Sequence, residues 1–235
     1  MKSTNEALRK RGLANSLDIS LAKKLSVEQL YEKLLSFLPV DRSAAAFALQ
    51  HKECDENERT IRLLDALKIE NTLYPKLAIC KSLESGNSTT ALLMCNYLGK
   101  IGNNQLQAVP PRTSWKKSYP LPRDIIARTL GKMNKSIFGL LLAQAEDMPQ
   151  EQLIEILDAI GYMAFYNNEV GTSKNFATIL RLYYKYKNNE LIVWKLIMCC
   201  SGFHIKESIE FLNEVKSDNT TIQAEIRRSL RAVNV

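Results

Sequence analysis

The feature that most constrains this chain is a short pattern that keeps returning. It runs basic or polar residue, three residues, a small residue, two residues, then an apolar residue often followed by Gly. Arg123-Asp-Ile-Ile-Ala127-Arg-Thr-Leu130-Gly131 shows it most fully. Arg42 to Leu49, with Ala46 at the small position, and Lys76 to Leu83, with Cys80, are close copies. Looser copies end at Gly161 and Gly202, and another lies in Gln223 to Arg231. A small residue lets a second helix approach closely, and the apolar positions cover a shared core. Ala46, Cys80 and Ala127 are therefore expected to be buried at helix contacts.

Each copy is preceded by a second amphipathic segment. Residues 26–38 place Val27, Leu30, Tyr31, Leu34, Leu35 and Leu38 at helical spacing. Ser26-Val-Glu-Gln29 is a capping box, and Asp41 behind Pro39 reads as the next N-cap. Further pairs are 56–68 with 72–84, 87–99 with 121–133, and 135–147 with 149–165. The last are 173–187 with 190–202 and 205–216 with 220–233, where Thr220-Thr-Ile-Gln223 repeats the box. The equivalent positions 49, 83, 130, 160, 201 and 230 lie 34, 47, 30, 41 and 29 residues apart. Helical-hairpin repeats span about 30 to 47 residues. No sustained period-2 alternation argues for a strand. The expected class is all-α, in one domain over 1–235.

These residues resemble a HEAT repeat, most clearly in LLSFLPVDRSAAAFAL and YPLPRDIIARTLGKM. The resemblance covers about residues 26–233 in six degenerate units. It implies a right-handed α-solenoid with residues 1–25, including the box Ser3-Thr-Asn-Glu6, as an N-terminal cap. It also implies that the second helices line a concave face, placing Arg128 beside Lys81 and Asp158. Arg227, Arg228 and Arg231 suit the polar outer face that a terminal repeat needs.

One segment breaks the pattern. Residues 109–124, VPPRTSWKKSYPLPRD, hold four of the seven prolines and one of the two tryptophans. Prolines forbid helix and favour a stiff, extended path, so 101–120 reads as a loop inserted between two helices of one repeat. The charge is concentrated here. From Lys100 to Lys135 there are eight basic residues and a single acid, Asp124, which accounts for the whole net charge of +7. A local excess of this kind is what a binding patch produces. Arg112, Trp115, Lys116, Lys117 and Tyr119 combine cations with aromatics, the composition of a recognition surface. Arg123, Arg128 and Lys132 extend it, with Arg128 and Lys132 on one helix face and Asp124 placed to steady Arg128. The competing expectation is that Trp115 and Tyr119 fold back to seal the stack.

Catalytic chemistry finds little support. The two histidines, His51 and His204, stand apart, and there is no HExxH, GxGxxG or GxxxxGK[ST]. SGNSTT at 85–90 has turn and cap chemistry that needs no phosphate. Cys199 and Cys200 point about 100° apart on a helix and read as core. Glu151, Glu155 and Asp158 lie on one helix face and read as solvated, unless Asp158 contacts a partner. No cofactor and no metal are expected. The five cysteines form no CxxC, which suits a reducing cytosol. No run of 18 apolar residues is present, and the N-terminus has no apolar h-region. The expected role is a non-catalytic scaffold for a protein with an acidic or extended segment. The alternative is a nucleic-acid-binding solenoid. Alkylated-base DNA glycosylases share a basic HEAT-like build, but their paired aromatics followed by a catalytic Asp have no counterpart here.

Overall fold

The computed structural model describes residues 4–116 and 118–233. It is 66% helix, and no strand occurs among the described residues. The chain forms two compact units, Met1–Met94 and Cys95–Val235.

The first unit begins with two short helices, α1 (Asn5–Lys10) and α2 (Ser16–Ala22), rather than one capping helix. Thr4 caps α1, and Asn15 with Asp18 forms a capping box on α2. The box expected at Ser3 starts outside the described residues. Then come α3 (Val27–Leu34), α4 (Pro39–Leu49), α5 (Glu56–Ile69), α6 (Leu73–Glu84) and α7 (Ser88–Cys95). The Ser26–Gln29 box is formed. Asp41 is not a cap: α4 starts one turn earlier, with Leu38 as N-cap and Pro39 at the first helical position, where its missing N–H costs nothing. Asp41 instead pairs with Lys33 at 2.8 Å. Helix α4 lies at the centre, packed on α2, α3 and α6. Its run Ala44, Ala45, Ala46 and Ala48 is buried, as are Ala78 and Cys80 on α6. Small side chains at this crossing let the two backbones come close.

The second unit shows a repeated ladder. Its helices are α8 (Ile125–Leu130), α9 (Phe138–Asp147), α10 (Gln150–Tyr166), α11 (Ser173–Lys185), α12 (Glu190–Cys200), α13 (Lys206–Glu214) and α14 (Thr220–Val233). The hairpins are α9–α10, α11–α12 and α13–α14. The second helices stack in order, α8 on α10, α10 on α12 and α12 on α14, while α9 packs on α11 and α11 on α13. This is the packing of a helical repeat array. Ala127 is fully buried.

The recurring glycine now has a cause. A Cβ at Gly131 would lie 3.2 Å from Tyr162 Cδ1, and one at Gly202 would run into the Gly161 carbonyl. Gly202, just past the end of α12, thus meets the backbone of α10 at Gly161, a close approach that a side chain would block. Helix α14 is capped by Asn219, whose side chain accepts from the amides of Thr221 and Ile222. Thr220 is the first helical residue.

Candidate binding site

Between α7 and α8 the described residues form no helix. Gly99 and Gly102, with φ of 74° and 81°, turn the chain through a backbone conformation that L side chains avoid. Asp124 fastens both ends of the loop and is fully buried. One carboxylate oxygen accepts from the Ala127 amide at 2.8 Å and caps α8. The other accepts from the Gly99 amide at 3.2 Å and the Gln105 side chain at 2.8 Å. Asp124 thus does not steady Arg128, whose guanidinium donates to the Pro122 carbonyl at 2.9 Å.

The loop's two aromatics have opposite fates. Tyr119 is 3% exposed. Its ring meets Tyr162 and Phe165 at 6.3 and 5.9 Å between centroids, and its hydroxyl sits where a side chain at Gly161 would lie. Trp115, four residues earlier, is 87% exposed. A further anchor is Thr113, whose hydroxyl donates to the Glu225 carboxylate on α14.

Beneath these anchors the second helices bury charge. Asp158 and Lys195 pair at 2.6 Å with side chains 5% and 1% exposed. Glu225 and Arg228 pair at 2.6 Å, and Arg228 also donates to Ser201 at 3.0 Å. Ser229 donates to the Ile197 carbonyl at 3.0 Å. Burial raises the carboxyls of Glu155 and Glu225 to about 7, and it also raises Asp158. Glu155 and Asp158 are therefore not a solvated face, and Arg228 is not on an outer surface. Each is inside, because its partners or neighbours come from the next helices of the ladder. Burial also raises both Cys199 and Cys200, which keeps them thiols and poor nucleophiles.

The residues expected to bind divide accordingly. Arg112, Trp115, Lys116, Arg123 and Lys132 are exposed, and Arg128 is half-buried. Lys117 lies outside the described residues. Tyr119 and Asp158 are interior and cannot present themselves to a partner. Lys81, in the first unit, pairs with Glu84 at 3.1 Å.

What gathers around Trp115 is a cavity of about 620 Å³ between the loop and α14. Pro111, Arg112, Thr113, Ser114 and Trp115 form one wall. Thr220, Thr221, Ala224, Arg227, Leu230 and Arg231 form the other. Three arginines and no acid line it. Arg227 and Arg231 stand four apart on one helix face, and their link to the loop lies more than a hundred residues away in sequence. Among the described residues no group of three His, Cys, Asp or Glu side chains is placed to hold a metal ion. None of the helices described is long and apolar enough to cross a membrane.

No protein-family model matches this chain, and no curated protein matches its sequence. The HEAT resemblance thus rests on the residues themselves. Among solved structures, a designed armadillo repeat protein aligns at 14% identity over 89% of this chain and 100% of its own, with a TM-score of 0.37. A likeness of that size decides nothing about function. The all-α repeat packing stands on the helix contacts described above.

Proposed function

We propose that this chain is a non-catalytic binding scaffold of HEAT-like build, and that it takes an acidic, extended protein segment along the cavity between the loop and α14. The single observation that carries the reading is an exposed tryptophan in a cavity lined by Arg112, Arg227 and Arg231. Large proteins keep most tryptophans covered. One left in solvent, within reach of three cations that have no acid beside them in the lining, supplies the apolar anchor and the charge that recognise an anionic ligand. Lys116, exposed next to Trp115 in the chain, and Arg123, Arg128 and Lys132 add positive charge to the same unit. The anchors at Thr113 and Tyr119 hold the loop in place, so little ordering entropy is lost when a ligand arrives.

The test is a titration of the whole chain with a flexible Glu-rich peptide and, separately, a single-stranded oligonucleotide. The peptide should bind and quench Trp115, and replacing Arg112, Arg227 and Arg231 with Ser should weaken it at least about tenfold. Preference for the oligonucleotide, with a log–log salt slope of about −4 as expected for about six phosphates of a single strand, would replace the protein partner with nucleic acid. No binding of either probe would end the reading.

A further inference from the structure

The first unit carries a different surface, independent of the cavity just described. In the four-residue turn between α3 and α4, Phe37 is 95% exposed, Leu35 65% and Leu38 57%, and Ile69 at the end of α5 is 65% exposed. A single exposed apolar side chain is ordinary, but several large ones together mark an interaction site. Leu35 and Ile69 also line a groove between α3 and α5, with Phe37 two residues beyond Leu35 in the turn. Two adjoining cavities of about 400 and 250 Å³ share Leu34, Leu35 and Ala66 as floor.

The rim of this groove is acidic. Glu28 and Glu32 stand on α3, Glu58 and Asp65 on α5, and all four are exposed. The cations in the linings are already engaged. Arg62 pairs with Glu58 at 3.3 Å and lies over the Tyr31 ring at 5.5 Å. Arg42 makes a two-pronged bond to Glu70 at 2.6 and 2.9 Å. A chain whose overall charge is +7 thus presents an apolar floor within a negative rim.

We propose that the α3–α5 groove docks an amphipathic helix from a partner protein, with its apolar face on Leu35, Phe37 and Ile69 and Lys or Arg along its edges. Charge complementarity selects the basic edges. The described residues offer no sheet edge to which a strand could add, so helix-in-groove is the recognition mode that fits. The eight residues of α3 span about 12 Å at 1.5 Å each, room for two to three turns of the incoming helix. Apolar anchors at i, i+3 or i+4, and i+7 would supply the contact.

The probe is a synthetic Leu/Lys peptide of about 18 residues with one apolar face. A scrambled peptide of the same composition serves as the control. Fluorescence anisotropy should show the Leu/Lys helix binding the intact chain at least about tenfold more tightly than the scrambled peptide. Phe37→Ser with Ile69→Ser should weaken it about tenfold or more, and circular dichroism should stay unchanged, since both side chains are in solvent. Glu32→Lys with Asp65→Lys should weaken binding of the Leu/Lys helix about tenfold or more, because its basic edges would then face like charge. The proposal fails if these variants bind the Leu/Lys helix as the parent does, or if scrambling makes no difference. It also fails if the chain self-associates on sedimentation and Phe37→Ser abolishes that, because a second copy would then be what covers the face.

Discussion

The hydroxyl end of Tyr119 fills the space that a side chain at Gly161 would need. A loop residue and a helix residue more than forty positions apart thus form one packing unit, which closes the end of α10. The ring supplies the stabilisation, since the Tyr119 hydroxyl has no protein hydrogen-bond partner. Tyr119→Ala should cost about 3–5 kcal/mol, while Tyr119→Phe should be near neutral. Gly161→Ala should displace the ring and cost about 1–3 kcal/mol. Urea unfolding midpoints of the three variants check this. Equal losses for Phe and Ala would show that the hydroxyl, not the ring, is the anchor.

Lys195 is held by Asp158 in the middle of the ladder, with both side chains out of solvent. Lys195→Met should leave a buried, unpaired carboxyl and cost about 3–5 kcal/mol. Adding Asp158→Asn should restore much of that, because the unpaired carboxyl at this position is then gone. Denaturant unfolding of the single and double variants gives the coupling. A double variant no more stable than the single one would mean that the pair is not an isolated unit.

Glu155 makes stability depend on pH. Burial raises its carboxyl from 4.5 to about 7, Asp158 adds to the rise, and Lys195 opposes it. Between those two pH values the folded chain keeps a proton that the unfolded chain has lost. Stability therefore falls as pH rises through this window and levels off above about 7. At about 1.4 kcal/mol per pH unit the change amounts to about 3 kcal/mol. Glu155→Gln should flatten the profile and exceed the parent in stability at pH 8. Glu225, raised in the same way, should leave a residual slope. Urea midpoints from pH 5 to 8 that rise with pH in the parent would contradict this account.

The helices were legible because their signals are local. Period, caps and the small residue at Ala46, Cys80 and Ala127 all lie within one turn or two, and all three side chains are buried as expected. Asp41 misled because proline at the first helical position outweighed it. The buried charges were hidden for another reason. Glu155 and Asp158 on α10 look like an ordinary wet face until Lys195, 37 residues on, is brought against them. Arg228 was hidden in the same way, since Ser201 lies 27 residues earlier. Half of the cavity around Trp115 belongs to α14, and nothing near Arg112 in sequence announces Arg227 or Arg231. Long-range contacts between polar groups leave no periodic trace, whereas apolar stacking does.

Trp115 and Trp194 are the chain's two tryptophans, and they differ sharply. Trp115 is 87% exposed on the loop, and Trp194 is 6% exposed in α12. Trp115→Ala removes almost no buried surface, so stability should change by no more than about 0.5 kcal/mol. The remaining emission should shift to the blue and resist acrylamide, because only the covered indole is left. Trp194→Ala should instead open the core and cost about 3–5 kcal/mol. In ligand binding the order reverses. An aromatic anchor at the centre of an interface acts mainly on dissociation, so loss of Trp115 should speed release of an acidic peptide and leave association to the arginines. If Trp115→Ala lowers stability by several kcal/mol and leaves peptide release unchanged, the indole serves to close the loop and the cavity beside it is not a binding site.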